Sequence, residues 1–362
     1  MLDRGEADGG EAVLVVRDPG NVALGTAHYS SASQISLRML SDRPETIDQA
    51  FYRRRIEQAE AYRKRVAPDS EAYRLVHGEG DQLPGLVIDR YGEYFTLQTL
   101  DQGMERAKAG IVSCLEELFA PRGIVERNDV AVRKREALPL QSGVLTGEVP
   151  DMVAVRMNGL KLHADLLRGQ KTGIFLDQRE NYLAAARYAH GRALDCFTST
   201  GGFALHMAAR CESVEAVDSS ETALRATRLN CEANAISNVE LREADVFDLL
   251  AGYASGHRRF DIVVLDPPAF AKSRQNLDAA IRGYKEINRR ALELLGPGGI
   301  LVTCSCSHHL SEAILLEIVA SASLDTGKKL RVVERRMQSQ DHPVLLTVPE
   351  TLYLKCLILE VI

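Results

Sequence analysis

The stretch Arg192-Ala-Leu-Asp-Cys-Phe-Thr-Ser-Thr-Gly-Gly-Phe203 decides the fold. A short apolar run ends on an acid, a polar turn follows, and paired glycines lead into a helix-like segment near 203–211. The pattern repeats downstream. SVEAVDSS (213–220), VELREAD (239–245), FDIVVLDPP (260–268) and ILVTCS (300–305) read as strands, with helical stretches near 220–235 and 284–295 between them. Strands and helices alternating at these lengths require parallel pairing with crossovers, so residues 173–362 are predicted to form a doubly wound α/β sheet. Pro297-Gly298-Gly299 reads as the turn feeding the fifth strand. Such sheets bind ligands beyond the carboxyl ends of their strands.

Upstream the pattern differs. From about 72 to 172, YRLVHG, LVIDRYGEYFTLQTL and MVAVRMNGLKLHADL alternate as half-buried strands. Between them Ile111, Leu115 and Leu118 share one helical face. This predicts a small α+β domain. Residues 1–67 read as β-rich, with AVLVV, VALGTAHYS and QISLRML as strands and a turn at Arg17-Asp18-Pro19-Gly20. A helix over Thr46–Val66 follows. Between 53 and 65 this helix carries six Lys/Arg against two Glu, which is either a solvated face or a phosphate-contacting stripe.

The chain has 362 residues, 45% hydrophobic and 26% charged, a composition that excludes disorder, collagen-like fibre and a disulfide scaffold. No apolar run approaches the ~20 residues that span a bilayer. The opening Met1-Leu-Asp-Arg-Gly-Glu carries acids where a signal peptide would be basic and then apolar, which predicts a cytoplasmic protein. The net charge of −6 means that nucleic acid would have to meet a local basic face. Seven cysteines show no CxxC pair, so no zinc site is predicted.

The loops after the strands carry the chemistry. Gly201-Gly202 allows close backbone approach to a ligand. Asp218, after the second strand, suits the two hydroxyls of a ribose, and Asp245-Val246-Phe247 suits an adenine. Neither GxGxxG nor GxxxxGK[ST] is present, so an adenosine-type methyl donor fits better than a dinucleotide or a nucleoside triphosphate. Asp266-Pro-Pro-Ala-Phe270 would aim a rigid cluster of carbonyls, with a ring beside it, at a flat heterocycle bearing an amino group. Cys304 and Cys306 are candidate nucleophiles. Alternation puts both on one side of the strand, so periodicity does not choose between them. His308-His309 read as helix-start or substrate-contacting residues rather than metal ligands.

Taken together, SQISLRMLS, GDQLPGLVIDRYGEYFTLQTLDQGME, GQKTGIFLDQRENY, ALDCFTSTGGFAL, VDSSETALRATRLNCEAN, DIVVLDPPAFAKS, GGILVTCSCSHH and PETLYLKCLILEVI resemble the PUA-domain-containing class I S-adenosylmethionine-dependent RNA methyltransferases. The best-known members of that family make 5-methylcytosine in bacterial 23S rRNA. The resemblance implies a PUA-like RNA-binding domain over 1–67, a central strand-helix-strand domain over 72–172 and a Rossmann-like methyltransferase over 173–362. Members usually carry a further segment before the strand at 12–16, so the PUA-like part reads as truncated.

The resemblance further implies S-adenosylmethionine as cofactor and S-adenosylhomocysteine as product. Phe175, Asp177, Gln178 and Arg179 would form a lid. Asp195, Phe197, Thr200 and Gly201 would line the methionine moiety, Asp218 and Ser219 the ribose, and Asp245 and Val246 the adenine. Asp266 would border the transferred methyl and hydrogen-bond the base. Counting nine positions from Gly298 puts the family nucleophile at Cys306, with Cys304 as its buried neighbour. 23S rRNA is the implied partner, no membrane is involved, and a homodimer stays open. Two rivals remain: N-methylation of a base, since DPPAF resembles the amine-methylating DPP[FY], and a non-catalytic RNA-binding protein.

Overall fold

The computed structural model describes residues 7–17, 20–169, 171–270 and 276–362. The opening acids up to Glu6, the Asp18-Pro19 turn, Gln170 and the stretch from Ala271 to Gln275 lie outside the described residues. The chain divides into two compact units. One comprises residues 1–157, 164–176 and 340–351; the other comprises 158–163, 177–339 and 352–362.

In the first unit, β1 (Ala12–Arg17), β2 (Val22–Tyr29) and β3 (Leu37–Ser41) form an antiparallel sheet. Asp48 caps α1 (Gln49–Val66) by accepting from the Phe51 amide at 2.9 Å. A second sheet follows in chain order: β4 (Ala72–His77), β5 (Leu86–Tyr91), β6 (Tyr94–Thr99), β7 (Gly123–Asn128) and β8 (Gln141–Gly147). Only β6 and β7 pair in parallel, because α2 (Gln102–Phe119) crosses between them. Phe51 and Ile56 of α1 share one core with Leu75, Ile88, Phe95, Met104 and Ile111. Each such side chain contributes about 1.5–3 kcal/mol on burial. The division expected between 67 and 72 therefore separates two sheets within one continuous core. Two short strands, β9 (Val153–Met157) and β10 (Leu160–Ala164), follow in chain order; β9 belongs to the first unit and most of β10 to the second.

The basic stripe of α1 is not one solvated face. Arg63 is fully buried, with its guanidinium on the Asp81 carboxylate and on the carbonyls of Arg74 and Asp341. Arg53 pairs with Glu57 and Glu117, Arg54 with Glu45, and Arg55 donates to the Leu40 carbonyl. Helical periodicity counted Arg63 among the outward cations because it cannot see an acid that arrives from another element.

The second unit is the predicted doubly wound sheet. After α3 (Arg179–Tyr188) come β11 (Arg192–Cys196), α4 (Gly202–Ala208), β12 (Ser213–Asp218), α5 (Glu221–Ala233), β13 (Val239–Glu243) and α6 (Val246–Ser255). Then follow β14 (Phe260–Leu265), α7 (Leu277–Leu294), β15 (Leu295–Ser305), α8 (Glu312–Asp325), β16 (Leu330–Arg336) and β17 (Lys355–Val361). The order is β13-β12-β11-β14-β15-β17-β16. The first five strands are parallel, and β17 runs antiparallel between β15 and β16. The order reverses between β11 and β14, the switch point where a crevice opens. Pro297-Gly298-Gly299 is not a free turn: β15 already pairs at Leu295, and the glycines take up a register shift against β14. Among the described residues, no helix is long and apolar enough to cross a membrane.

Candidate active site

Asp195 anchors the crevice. It is fully buried at the end of β11, and its Oδ2 accepts from Thr198 Oγ1 at 2.6 Å and from the Ala204 amide at 2.9 Å. Its Oδ1 is buried without a hydrogen-bond partner. Burial pushes its pKa up to about 7 against those two hydrogen bonds, and the neighbouring Asp266 and Asp218 carboxylates add to the rise. The turn that follows is strained. Phe197 and Ser199 have positive φ (63° and 50°), as does Gly201 (87°). Non-glycine residues in such conformations cost of order 1–3 kcal/mol each and persist where their surroundings hold them, typically around ligands. Here the Thr198 amide donates to the Val217 carbonyl and the Ser199 amide to Asp218 Oδ2, both at 2.9 Å. Thr227 Oγ1 and Asn230 Nδ2 donate to the carbonyls of Ser199 and Thr200.

Gly202 has a steric reason. A Cβ there would lie 2.3 Å from Cζ of Tyr182, whose ring packs edge-on against Phe203 at 4.8 Å and stacks on His206 at 5.2 Å. Gly202→Ala must therefore displace a buried ring. We expect it to lower stability by about 1–3 kcal/mol, read as an earlier midpoint in urea. An unchanged midpoint would mean that the ring has room to move.

Asp218 and Asp245 occupy successive strand ends on the same edge of the sheet. Asp218 accepts from the Ser199 and Ser220 amides, both at 2.9 Å, and Ser219 beside it is exposed. Asp245 is the N-cap of α6, with Oδ1 on the amides of Phe247 (2.8 Å) and Asp248 (3.2 Å), and Val246 is buried behind it. Asp266 lies just past β14, its amide donating to the Cys196 carbonyl at 3.4 Å. The half-buried Phe270 ring packs 4.7 Å from Tyr284 and 5.8 Å from Phe247.

Burial separates the two thiols. Cys304 lies within β15, directly opposite Cys356 of β17, and is fully buried. Desolvation holds its thiol well above the ordinary range, Cys356 and Asp266 add to this, and a hydrogen bond with Gln178 opposes it. Cys306 comes after the last strand residue and is half-buried, while the other six cysteines are all buried. Beside it, Lys355 is 7% exposed and donates to the carbonyls of Ser307 (2.7 Å) and Tyr353 (2.9 Å). Tyr353 in turn donates to Asp177 Oδ2 at 2.8 Å. Asp177, Gln178 and Arg179 thus sit at the start of α3 on this side of the sheet, all buried. Phe175 belongs to the first unit, with Lys171 Nζ 4.2 Å over its ring. His308 and His309 are exposed and precede Ser311, the N-cap of α8.

Tyr182, Tyr353 and Lys355 escaped the reading from sequence. Lys355 had a legible signal, a cation inside the apolar run YLKCLILEV.

An adenosine-type methyl donor fits these residues. The orphaned Asp195 Oδ1 is a buried acceptor that a cationic amino group would satisfy. Asp218, with one oxygen on each of two amides, keeps acceptor capacity for hydroxyls. Fold and site together define a class I S-adenosylmethionine-dependent methyltransferase. The family model for S-adenosylmethionine-dependent methyltransferases matches residues 118–359, and the chain belongs to that family. Within it, the chain is 43% identical to ribosomal RNA large subunit methyltransferase I of Klebsiella pneumoniae, over 97% of this chain and 90% of that protein. It is 42% identical to the protein of the same name from Escherichia coli, with the same coverage. A crystal structure described as a methyltransferase complexed with SAH shares the fold, with a TM-score of 0.85 and 22% identity over 99% of this chain and 93% of that one.

Proposed function

We propose that this chain methylates carbon 5 of a cytosine in large-subunit ribosomal RNA, through a transient bond between Cys306 and C6 of the base. The observation that carries this reading is the position of Cys306, the one cysteine of seven that is not buried, at the same sheet edge as Asp218 and Asp266. The relatives named above supply the substrate class. Carbon 5 of cytosine is a weak nucleophile. Addition of the Cys306 thiolate to C6 gives carbon 5 enamine character, and once the C5 proton has passed to water, expulsion of the thiolate restores the aromatic ring. S-adenosylmethionine, when bound, supplies an electrophilic methyl on a sulfonium. Asp195 and Asp218 would hold its amino group and ribose, Asp245 and Val246 its adenine, and Asp177, Gln178 and Arg179 the lid over it. Asp266 would steady the base amino group.

The test is nucleoside mass spectrometry of large-subunit rRNA incubated with the protein and methyl-labelled cofactor. Labelled 5-methylcytosine is expected. Label in N-methylated bases instead would favour the DPP[FY]-type reaction. No label at all would favour a binding protein.

We further propose that the β1–β3 sheet and α1 form the PUA-like RNA-docking part, and that the reaction takes place in the cytoplasm. Arg54 and Arg55 are tied to Glu45 and the Leu40 carbonyl. Replacing Arg53, Arg54 and Arg55 together with Gln should therefore lower the log–log salt slope of RNA binding by no more than about one contact's worth, roughly 0.7–0.9. A drop of about 2 or more would mean that RNA breaks these ion pairs.

A further inference from the structure

Lys355 opens β17 between Leu354 and Cys356, ahead of Leu357, Ile358 and Leu359, all of them buried. An ammonium in such surroundings normally recruits a carboxylate. Lys355 has two neutral carbonyls instead, those of Ser307 and Tyr353. One of the two belongs to the residue directly after Cys306. The ionisable neighbour that favours its charge is Cys306 itself, while burial draws its pKa down to about 8.

We propose that Lys355 is the positioning residue that takes the proton of Cys306 and holds the sulfur as a thiolate for attack on the base. The inference rests on Cys306 being the nucleophile. A neutral Nζ has two N–H bonds and one lone pair, and the two carbonyls accept those two N–H bonds. The S–H proton moves to the lone pair: one S–H bond breaks, one N–H bond forms, and an ammonium–thiolate pair results. When the thiolate leaves the methylated base, the same pair re-forms without any net change in protons.

Among the described residues, the other groups around this pair do not substitute for it. Tyr284, from α7, feels the Cys306 charge and is itself raised by burial. Asp266, past β14, and the Cys304–Cys356 pair between β15 and β17 contribute negative or neutral groups. His308, exposed at the surface but partly shielded around its ring, is pushed towards its neutral form by this desolvation, then by Lys355 and His309. Among the described residues, Lys355 is the cation whose charge Cys306 favours.

The pH profile of Cys306 alkylation by iodoacetamide, followed by peptide mass spectrometry on the full chain, tests this. Lys355→Met should lower the alkylation rate near neutral pH about tenfold and move the profile to higher pH. Lys355→Gln, which can still donate to the two carbonyls but neither accepts a proton nor carries a charge, should behave like Lys355→Met. A Lys355→Met profile equal to that of the unaltered protein would overturn the proposal. Should Lys355→Met fail to fold, NMR of 13C-labelled lysine in Cys306→Ala gives the reciprocal measurement. The Lys355 midpoint should fall when the thiolate is removed, and an unmoved midpoint would overturn the proposal equally. Trapping on RNA containing 5-fluorocytidine separates the two levels. An adduct at Cys306 combined with an unshifted alkylation profile removes Lys355 alone, whereas absence of any adduct removes the nucleophile on which it rests.

Discussion

Cys306→Ala is expected to cut methyl transfer by at least about a thousandfold, which corresponds to roughly 4 kcal/mol of lost transition-state stabilisation. Without a sulfur to add at C6, carbon 5 lacks the electron density to attack a methyl group. Cofactor affinity should be unchanged, because the residues proposed to hold the cofactor lie at the start of α3 and after β11, β12 and β13 rather than after β15. Cys304→Ala is the informative contrast. That thiol is enclosed between β15 and β17 opposite Cys356, so its loss should cost about 1 kcal/mol of stability and leave the chemistry in place. On RNA carrying 5-fluorocytidine, fluorine blocks the final elimination and retains the adduct. Cys304→Ala should still form that adduct and Cys306→Ala should not. The reverse pattern would transfer the nucleophile to Cys304.

The second large effect is expected at Asp218. Its carboxylate receives the amides of Ser199 and Ser220, and the Ser199 contact fixes a turn that already holds Phe197 and Ser199 in left-handed conformations. Asp218→Ala would therefore remove the proposed ribose acceptor and untie the strained turn together. Loss of a hydrogen bond to a charged group costs about 1.5–3 kcal/mol, so S-adenosylmethionine affinity should fall roughly 10- to 150-fold by calorimetry. Asp218→Asn keeps one acceptor oxygen for the turn and loses the charge, so it should fall between the two. Affinity unchanged in Asp218→Ala would take this residue out of the cofactor site.

Both predictions use residues that local sequence could name, yet their roles separate only in three dimensions. Alternation along β15 assigned Cys304 and Cys306 to the same side. Alternation is a property of a continuing strand, and this one stops at Ser305. The antiparallel β17 covers Cys304 and brings Lys355 beside Cys306 from about fifty residues away in the chain. Arg63 teaches the same lesson in the other direction: its spacing suggested an outward cation, and a carboxylate from a different element turned it inward.

By itself, the sequence determined the parallel strands and their helices, the Asp195–Gly202 turn, and the acids at successive strand ends. Each of these depends on short-range periodicity, turn chemistry and the rule that parallel strands need crossovers. Only the tertiary structure decided the insertion of β17 between β15 and β16, the shared core of α1 with the five-stranded sheet, and which thiol remains open beside a buried cation. Those outcomes depend on which distant segments exclude water from one another. Burial and electrostatic pairing are properties of the assembled core, and no local spacing encodes them.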